Sequence, residues 1–339
     1  MGSALTTGDV PDLGRESDAA PPARERGAPT AGDRAQVAAL RAVVAVLRRV
    51  GFERAARVGE SIGALGHTPL GVRRTVVEEQ IAAAFPGWDR ARVEATARAA
   101  YRHLGRTSIE TALLPTLSRA QLMDLFERVD GWDVIEESLA KGKGLIAVSG
   151  HLGNWELGGA YVAARGVPID VIVRHMANPL FDRYITSTRE RIGMSVMHDD
   201  VAVRRVPRAL RSGHVVAILA DQATLGLSSD WVPFFGRPAK TPRGPAVFAL
   251  RMGTPVVFGA VLRQPSGRYH LSFEPVEIAP TGDRERDVES IVAAYTAILE
   301  RWVRVAPEQY FWHHRRWKHR PPAEVAERMA REERNGEGE

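Results

Sequence analysis

The strongest constraint in this sequence is a change of rhythm near residue 141. Gly144-Leu-Ile-Ala-Val-Ser149 is a short apolar run bounded by glycines, and two more follow at Ile169-Asp-Val-Ile-Val173 and Val215-Val-Ala-Ile-Leu219. Runs this short and this apolar read as strands buried on both faces. Between them lie helical patterns at Asn154 to Arg165, Pro179 to Arg191 and Val203 to Arg211. Strands alternating with helices predict a mainly parallel sheet covered by helices on both sides. Thr254 to Leu262 and Tyr269 to Ile278 flank Pro265-Ser-Gly267, an antiparallel hairpin placed near an edge of the sheet. Val288 to Val305 reads as a closing long helix. The expected fold class is therefore α/β, with a mainly parallel or mixed sheet flanked by helices and an N-terminal helical region.

Upstream of that change, residues 1–34 are rich in Gly, Pro, Ala, Arg and Asp and nearly devoid of large apolar side chains. Such a segment cannot bury enough surface to offset its ordering entropy, so it is expected to be a disordered tail. Residues 35–140 read as helical throughout. Val76, Val77, Ile81 and Phe85 share one face ahead of Pro86-Gly87, Val93 to Leu114 runs up to Pro115, and Trp132 to Leu139 ends at Gly142. The expected organisation is a tail over 1–34, a helical and membrane-associated region over 35–140, an α/β core over 141–322 and a charged C-terminal tail over 323–339.

Composition narrows the chemistry. The 339 residues contain no cysteine, which excludes disulfides, thiolate metal sites and a cysteine nucleophile. The formal charge is +5, and with only four lysines arginine carries nearly all of it. That bias reflects either genome composition or a need for bidentate phosphate and carboxylate contacts. No stretch reaches the roughly 18 uninterrupted apolar residues of a membrane span. Val37 to Val50, interrupted by Arg41 and ended by Arg48 and Arg49, fits a helix lying on a membrane surface or a short amphipathic core helix.

His151 follows the first strand directly, and Glu156 falls in the first turn of the next helix. Reacting groups in α/β sheets gather at the carboxyl ends of strands. Gly150 and Gly153 permit a sharp turn there, and Asn154 is a candidate helix N-cap. A carboxylate five residues on can fold back to one imidazole nitrogen, leaving the other as a general base. The alternative is a histidine that merely packs at a turn, with Glu156 as an ordinary N-terminal acid of the helix. The loop from Ala223 to Gly244 carries Trp231, Phe234 and Phe235, which either line a binding groove, dip into lipid or pack against the core. His313, His314 and His319 lack metal-ligand spacing. No phosphate loop or dinucleotide fingerprint occurs, so neither a metal nor a cofactor is expected.

These motifs carry a resemblance. His151-x4-Glu156 after a buried strand is similar to the His-x4-Asp/Glu motif of glycerolipid acyltransferases, and the wider match is to the lipid A late acyltransferases and the related mannoside acyltransferases. Ile172-Val-Arg174 and Asn178-Pro179-Leu180, then Arg189, Ala220-Asp221-Gln222, Val232-Pro-Phe-Phe-Gly236, Pro307-Glu-Gln-Tyr-Phe-Trp312 and His314-Arg-Arg-Trp-Lys-His-Arg-Pro321 follow in that family's order. The membrane-spanning helix with which its Gram-negative members usually begin is here only weakly apolar.

The resemblance implies a His151–Glu156 catalytic pair with Arg174, Arg189 and Asp221 shaping the acceptor site. Backbone amides at the start of the helix after His151, with Arg189, would stabilise the oxyanion. It implies acyl carrier protein or acyl-CoA as donor, a lipid A precursor or similar phosphoglycolipid as acceptor, and a place on the cytoplasmic face of the inner membrane. No nucleic-acid partner is expected, although Trp312 to Arg320 taken alone resembles an RNA or anionic-lipid patch. A phosphatidylinositol mannoside, lysophospholipid or amino-lipid acceptor remains open, as does a non-catalytic binding protein.

Overall fold

Each of the three short apolar runs is a strand, the first largely buried and the other two buried at their starts and half-buried beyond. A computed structural model of the chain describes residues 28–223 and 228–336; most of the expected N-terminal tail lies outside them. In chain order the elements are α1 (Ala31–Val50), α2 (Phe52–His67), α3 (Arg74–Ala84), α4 (Arg90–Leu113), α5 (Arg119–Asp124), β1 (Phe126–Asp130), α6 (Trp132–Ala140), β2 (Leu145–Ser149), α7 (Trp155–Ala164), β3 (Ile169–Val173), α8 (Pro179–Arg191), β4 (Met194–His198), α9 (Asp199–Arg211), β5 (Val215–Leu219), β6 (Ser229–Phe234), β7 (Arg237–Pro242), α10 (Gly244–Met252), β8 (Val256–Arg263), β9 (Tyr269–Pro275), α11 (Arg284–Val305) and α12 (Ala323–Gly336).

Seven strands form one sheet in the order β1-β9-β8-β2-β5-β3-β4. β8, β2, β5, β3 and β4 run parallel, β9 returns antiparallel to β8, and β1 runs parallel to β9. The central strands alternate faces as pleating requires. Ile146, Val148, Val216 and Phe258 pack on one side with Val206, Ala249, Val292 and Leu299 of the overlying helices. Leu145, Val215 and Val257 pack on the other with Ile135, Leu157, Ala160 and Tyr161.

Two strands depart from the sequence reading. β1 lies in the region expected to be helical throughout, and β4 falls between two expected helices. Both are sheet edges with polar residues along them, so neither carries the continuous apolar run of a central strand. The expected Ala223–Gly244 loop instead contains β6 and β7, paired antiparallel as a separate two-stranded sheet. Its three prolines, Pro233, Pro238 and Pro242, disguise it as loop. The charged C-terminal segment is helical and is tied back by an ion pair between Arg328 and Glu289.

The N-terminal helices have an inverted arrangement. α2 turns Ala55, Ala56 and Gly59 inward and leaves Val58, Ile62 and Leu65 exposed. Small residues permit close approach to α4: a Cβ added to Gly63 would sit 2.1 Å from the Tyr101 carbonyl oxygen, and one on Gly105 2.2 Å from that of Gly59. Gly63→Val is therefore expected to force the two helices apart and destabilise the protein by about 1–3 kcal/mol or more. Urea unfolding would register this as a lower midpoint, and an unchanged midpoint would contradict the close crossing.

Candidate active site

β2 and β5 are hydrogen-bonded neighbours in a register that pairs Ser149 with Leu219. The Ala220 N–H donates to the Ser149 carbonyl (2.9 Å), extending the ladder one step. The residues two positions past the paired ends, His151 and Asp221, consequently emerge side by side. Asp221 Oδ1 lies 2.7 Å from His151 Nδ1, and Oδ2 accepts the His151 backbone N–H at 3.1 Å. This two-point grip sets both the ring and its backbone. With Nδ1 donating to the carboxylate, the lone pair is on Nε2. The Gln222 amide stands 3.2 Å from the same Nδ1.

Burial alone would raise the Asp221 carboxyl, but the neighbouring His151 ring and N–H outweigh it and hold the group down to about 2. Burial and the adjacent Asp221 carboxylate push the Tyr310 phenol well up. His151 lies edge-on to Trp155, with ring centroids 4.9 Å apart. It lines a small, partly open pocket together with His103, Thr107, Gln309 and Phe311.

The expected His151–Glu156 hydrogen bond is replaced. Glu156 is buried in the first turn of α7, and Arg189 of α8 takes both its oxygens, Nε to Oε2 at 3.0 Å and Nη2 to Oε1 at 2.5 Å. The orienting carboxylate is Asp221, because the sheet register delivers it to Nδ1 while α7 turns Glu156 towards α8. Arg189 thus pairs with Glu156 and not with Asp221. Burial alone would lower the Arg189 guanidinium, and the Glu156 charge reverses this and raises it.

Three backbone amides of the turn ahead of α7 are already engaged. The N–H of Leu152 goes to Gly150 (2.8 Å), that of Gly153 to Gln309 (2.9 Å) and that of Asn154 to Val261 (3.0 Å). The Asn154 side chain caps Leu157. Among the described residues, this leaves the Trp155 and Glu156 amides as the open donors at the start of α7. Gly153 is at φ +60°, and a Cβ there would lie 1.6 Å from the Val261 carbonyl oxygen, so only glycine fits.

Arg174 is two-thirds exposed beyond β3, 3.6 Å from Asp199. Phe234 and Phe235 are buried among Phe85, Tyr310, Trp312 and Trp317, so they pack the core and neither line a groove nor reach lipid; Trp231 is half-buried on β6. The β6–β7 turn carries them inward.

The C-terminal signature is a strap across the His151 loop. Phe311 N–H donates to the His151 carbonyl (2.9 Å), and Leu152 bridges Tyr310. The Gln309 side chain accepts from the Arg263 N–H at 2.9 Å and donates to its carbonyl at 2.8 Å. Trp312 is fully enclosed, and the buried Arg316 guanidinium donates to the Lys240 carbonyl and to Thr241 Oγ1.

Sequence reasoning missed Glu110. Wholly buried on α4, it accepts from Arg106 Nε (2.8 Å), Arg263 Nη2 (2.9 Å), Asn154 Nδ2 (2.9 Å) and the Tyr269 hydroxyl. It thereby holds the cap of α7. Nothing in the helix sequence distinguishes Glu110 from a solvent-facing acid. His103, also missed, contacts the Gly153 carbonyl through Nε2 at 3.0 Å.

A strand-end imidazole with one nitrogen held by a carboxylate, on a residue lining a pocket, is the arrangement of a transferase or hydrolase of general-base type on an α/β sheet. The sequence model for the bacterial lipid A biosynthesis acyltransferases matches residues 33–319. The chain belongs to that family of acyltransferases. It is 33% identical to the lipid A biosynthesis lauroyltransferase of Escherichia coli over 195 residues, 57% of this chain and 62% of that protein. It is 27% identical to the palmitoleoyltransferase of the same organism over 79% of this chain and 86% of that protein. A phosphatidylinositol mannoside acyltransferase of Mycobacterium tuberculosis is 32% identical over 44% of this chain and 48% of its own length.

Burial lowers three imidazoles around this strap from an ordinary value of 6.5, His103 to about 3 and His313 and His314 to about 4. Below pH 6.5 the unfolded chain then binds protons that the folded chain refuses. Stability is expected to fall on acidification from pH 6.5 towards 4, by up to about 1.4 kcal/mol per pH unit for each group. His313 packs on Tyr101 and Phe311, so His313→Phe should fold and flatten this dependence in urea titrations. An unaltered slope would show that His313 does not contribute.

Proposed function

We propose that the chain transfers a fatty acyl group from an acyl carrier protein or acyl-CoA thioester to a hydroxyl of a lipid A precursor or similar phosphoglycolipid. The observation that carries this reading is the Asp221–His151 contact, which leaves Nε2 as the unprotonated nitrogen of a residue that lines the pocket. Nε2 removes the acceptor hydroxyl proton as the oxygen attacks the thioester carbonyl. The new C–O bond forms, the C–S bond breaks as the tetrahedral intermediate collapses, and the departing thiolate takes the proton from the imidazolium. The open amides of Trp155 and Glu156, at the positive end of α7, are the donors for the oxyanion. Glu156 keeps Arg189 fixed beside the site, and Arg174 is the exposed cation at hand for an acceptor phosphate. The net charge of +5 complements an acidic carrier protein.

The similarity to a mannoside acyltransferase supports a second reading, the same chemistry on a phosphatidylinositol mannoside. Assays with each acceptor, and lipid mass spectrometry after gene deletion, separate the two. His151→Ala and Asp221→Asn are each expected to lower kcat by about 10²–10⁴-fold. Full activity in His151→Ala would overturn the catalytic reading. Glu156→Gln should instead lower thermal stability sharply, since it leaves a buried guanidinium without its charge partner.

The acceptor's chemistry calls for a membrane surface, and α1 and α2 supply a face for one. Val43, Val46 and Val50 of α1, Val58, Ile62 and Leu65 of α2, and Leu70 and Val72 beyond are all exposed. Arg41, Arg48, Arg49, Arg54, Arg57 and Arg73 are exposed among them. This combination suits peripheral attachment to anionic lipid. No helix among the described residues is long and apolar enough to cross a membrane. A Val46→Asp/Ile62→Asp double variant should lose cosedimentation with anionic vesicles while retaining activity on detergent-dispersed acceptor. Undiminished cosedimentation would exclude this face.

A further inference from the structure

A second cluster of chemistry-bearing side chains lies past the ends of β3 and β4. These strands pair in parallel, with Val173 opposite His198. His175 follows β3 by two residues, and His198 closes β4. Their rings stack face to face, centroids 3.6 Å apart and planes 11° from parallel. Asp182, in the first turn of α8, places Oδ2 3.2 Å from His175 Nδ1. One ligand atom from each of His175, Asp182 and His198 lies within 4.8 Å of the others, and all three side chains are half-buried.

We propose that His175, Asp182 and His198 bind a divalent transition-metal ion of the zinc type. Two imidazoles and one carboxylate form a donor set that suits zinc and its neighbours, whereas magnesium and calcium prefer oxygen ligands throughout. Zinc–ligand bonds of about 2.0–2.2 Å bring donor atoms to within roughly 3.5 Å of one another. The donor atoms need draw together by only about 1 Å, with the two rings turning out of their stacked arrangement so that the in-plane lone pair of each meets the ion.

The surroundings match what orients metal ligands. Asp182 Oδ1 accepts the Met176 N–H at 3.3 Å, which turns Oδ2 towards the imidazole. With His175 Nδ1 facing Asp182, its Nε2 lies 3.6 Å from Asp200 Oδ2, a carboxylate in the outer position. Three ligands leave a fourth coordination position for water.

Such an ion would clip the β3–α8 turn to the β4–α9 junction. The same α8 carries Arg189, which grips Glu156, and Asp182 adds its charge to the field on Arg189. Its place is structural, at the rim of the site, and it takes no part in the acyl transfer. The inference stands or falls independently of that activity.

The test uses the tag-free chain, stripped with a chelator and titrated with zinc chloride by calorimetry. One zinc per chain is expected, with a rise in melting temperature on loading. His175→Asn, Asp182→Asn and His198→Asn should each weaken binding by at least about tenfold. Their metal-free circular dichroism spectra should match that of the metal-free parent. Zinc K-edge absorption of the loaded parent, independent of any variant's folding, should resolve two imidazoles and oxygen donors. Absence of saturable binding, equal binding in the variants, or an absorption spectrum without two imidazoles would each overturn the proposal.

Discussion

Everything at this site rests on the pairing of β2 with β5, two strands 70 residues apart that align Ser149 with Leu219. That register places a histidine and an aspartate at equal distances beyond the paired strand ends. The Asp221 carboxylate then bonds both the ring and the backbone N–H of His151. A shift of one residue would turn every side chain of one strand to the opposite face and separate the pair. The core alternation that fixes the register, with Ile146, Val148 and Val216 on one side and Leu145 and Val215 on the other, is thus also what aligns the chemistry.

Around this contact the fold holds the His151 turn from three directions. From below, Glu110 of α4 secures the Asn154 cap through a fully buried network that includes Arg106 and Arg263. From one side, the strap at Gln309 to Phe311 takes up the Gly153 N–H and the His151 carbonyl. From the other, Arg189 of α8 fixes Glu156. Each support uses a charged or backbone group that would be costly to leave buried alone. The turn is accordingly set by satisfied polar contacts as much as by packing. Such restraint holds the imidazole in one orientation.

Much of the fold was legible before any coordinates. β2, β3 and β5 are apolar runs that fit only buried strands, and α8 begins at Asn178-Pro179, a cap followed by proline at the first helical position. β1 and β4 were not legible, because edge strands need not be apolar on both faces. The β6–β7 hairpin was hidden by its prolines, which left its phenylalanines open between a groove, lipid and the core. His151 and the family motifs stood out by spacing. The partner of His151 did not, since spacing along one helix favoured Glu156 and could not reveal that a distant strand lay closer.

The sequence alone thus determined the central strands and most of the helices, that the sheet is mostly parallel, and that His151 stands just past the end of β2. These follow from local propensity and hydrophobic period, which act over a few neighbouring residues. Only the tertiary structure decided which carboxylate holds His151, which amides remain open at α7, and where Glu110 and the aromatic residues of β6 go. Those depend on strand order and register, which join residues such as His151 and Asp221 across 70 positions and leave no periodic trace in either segment.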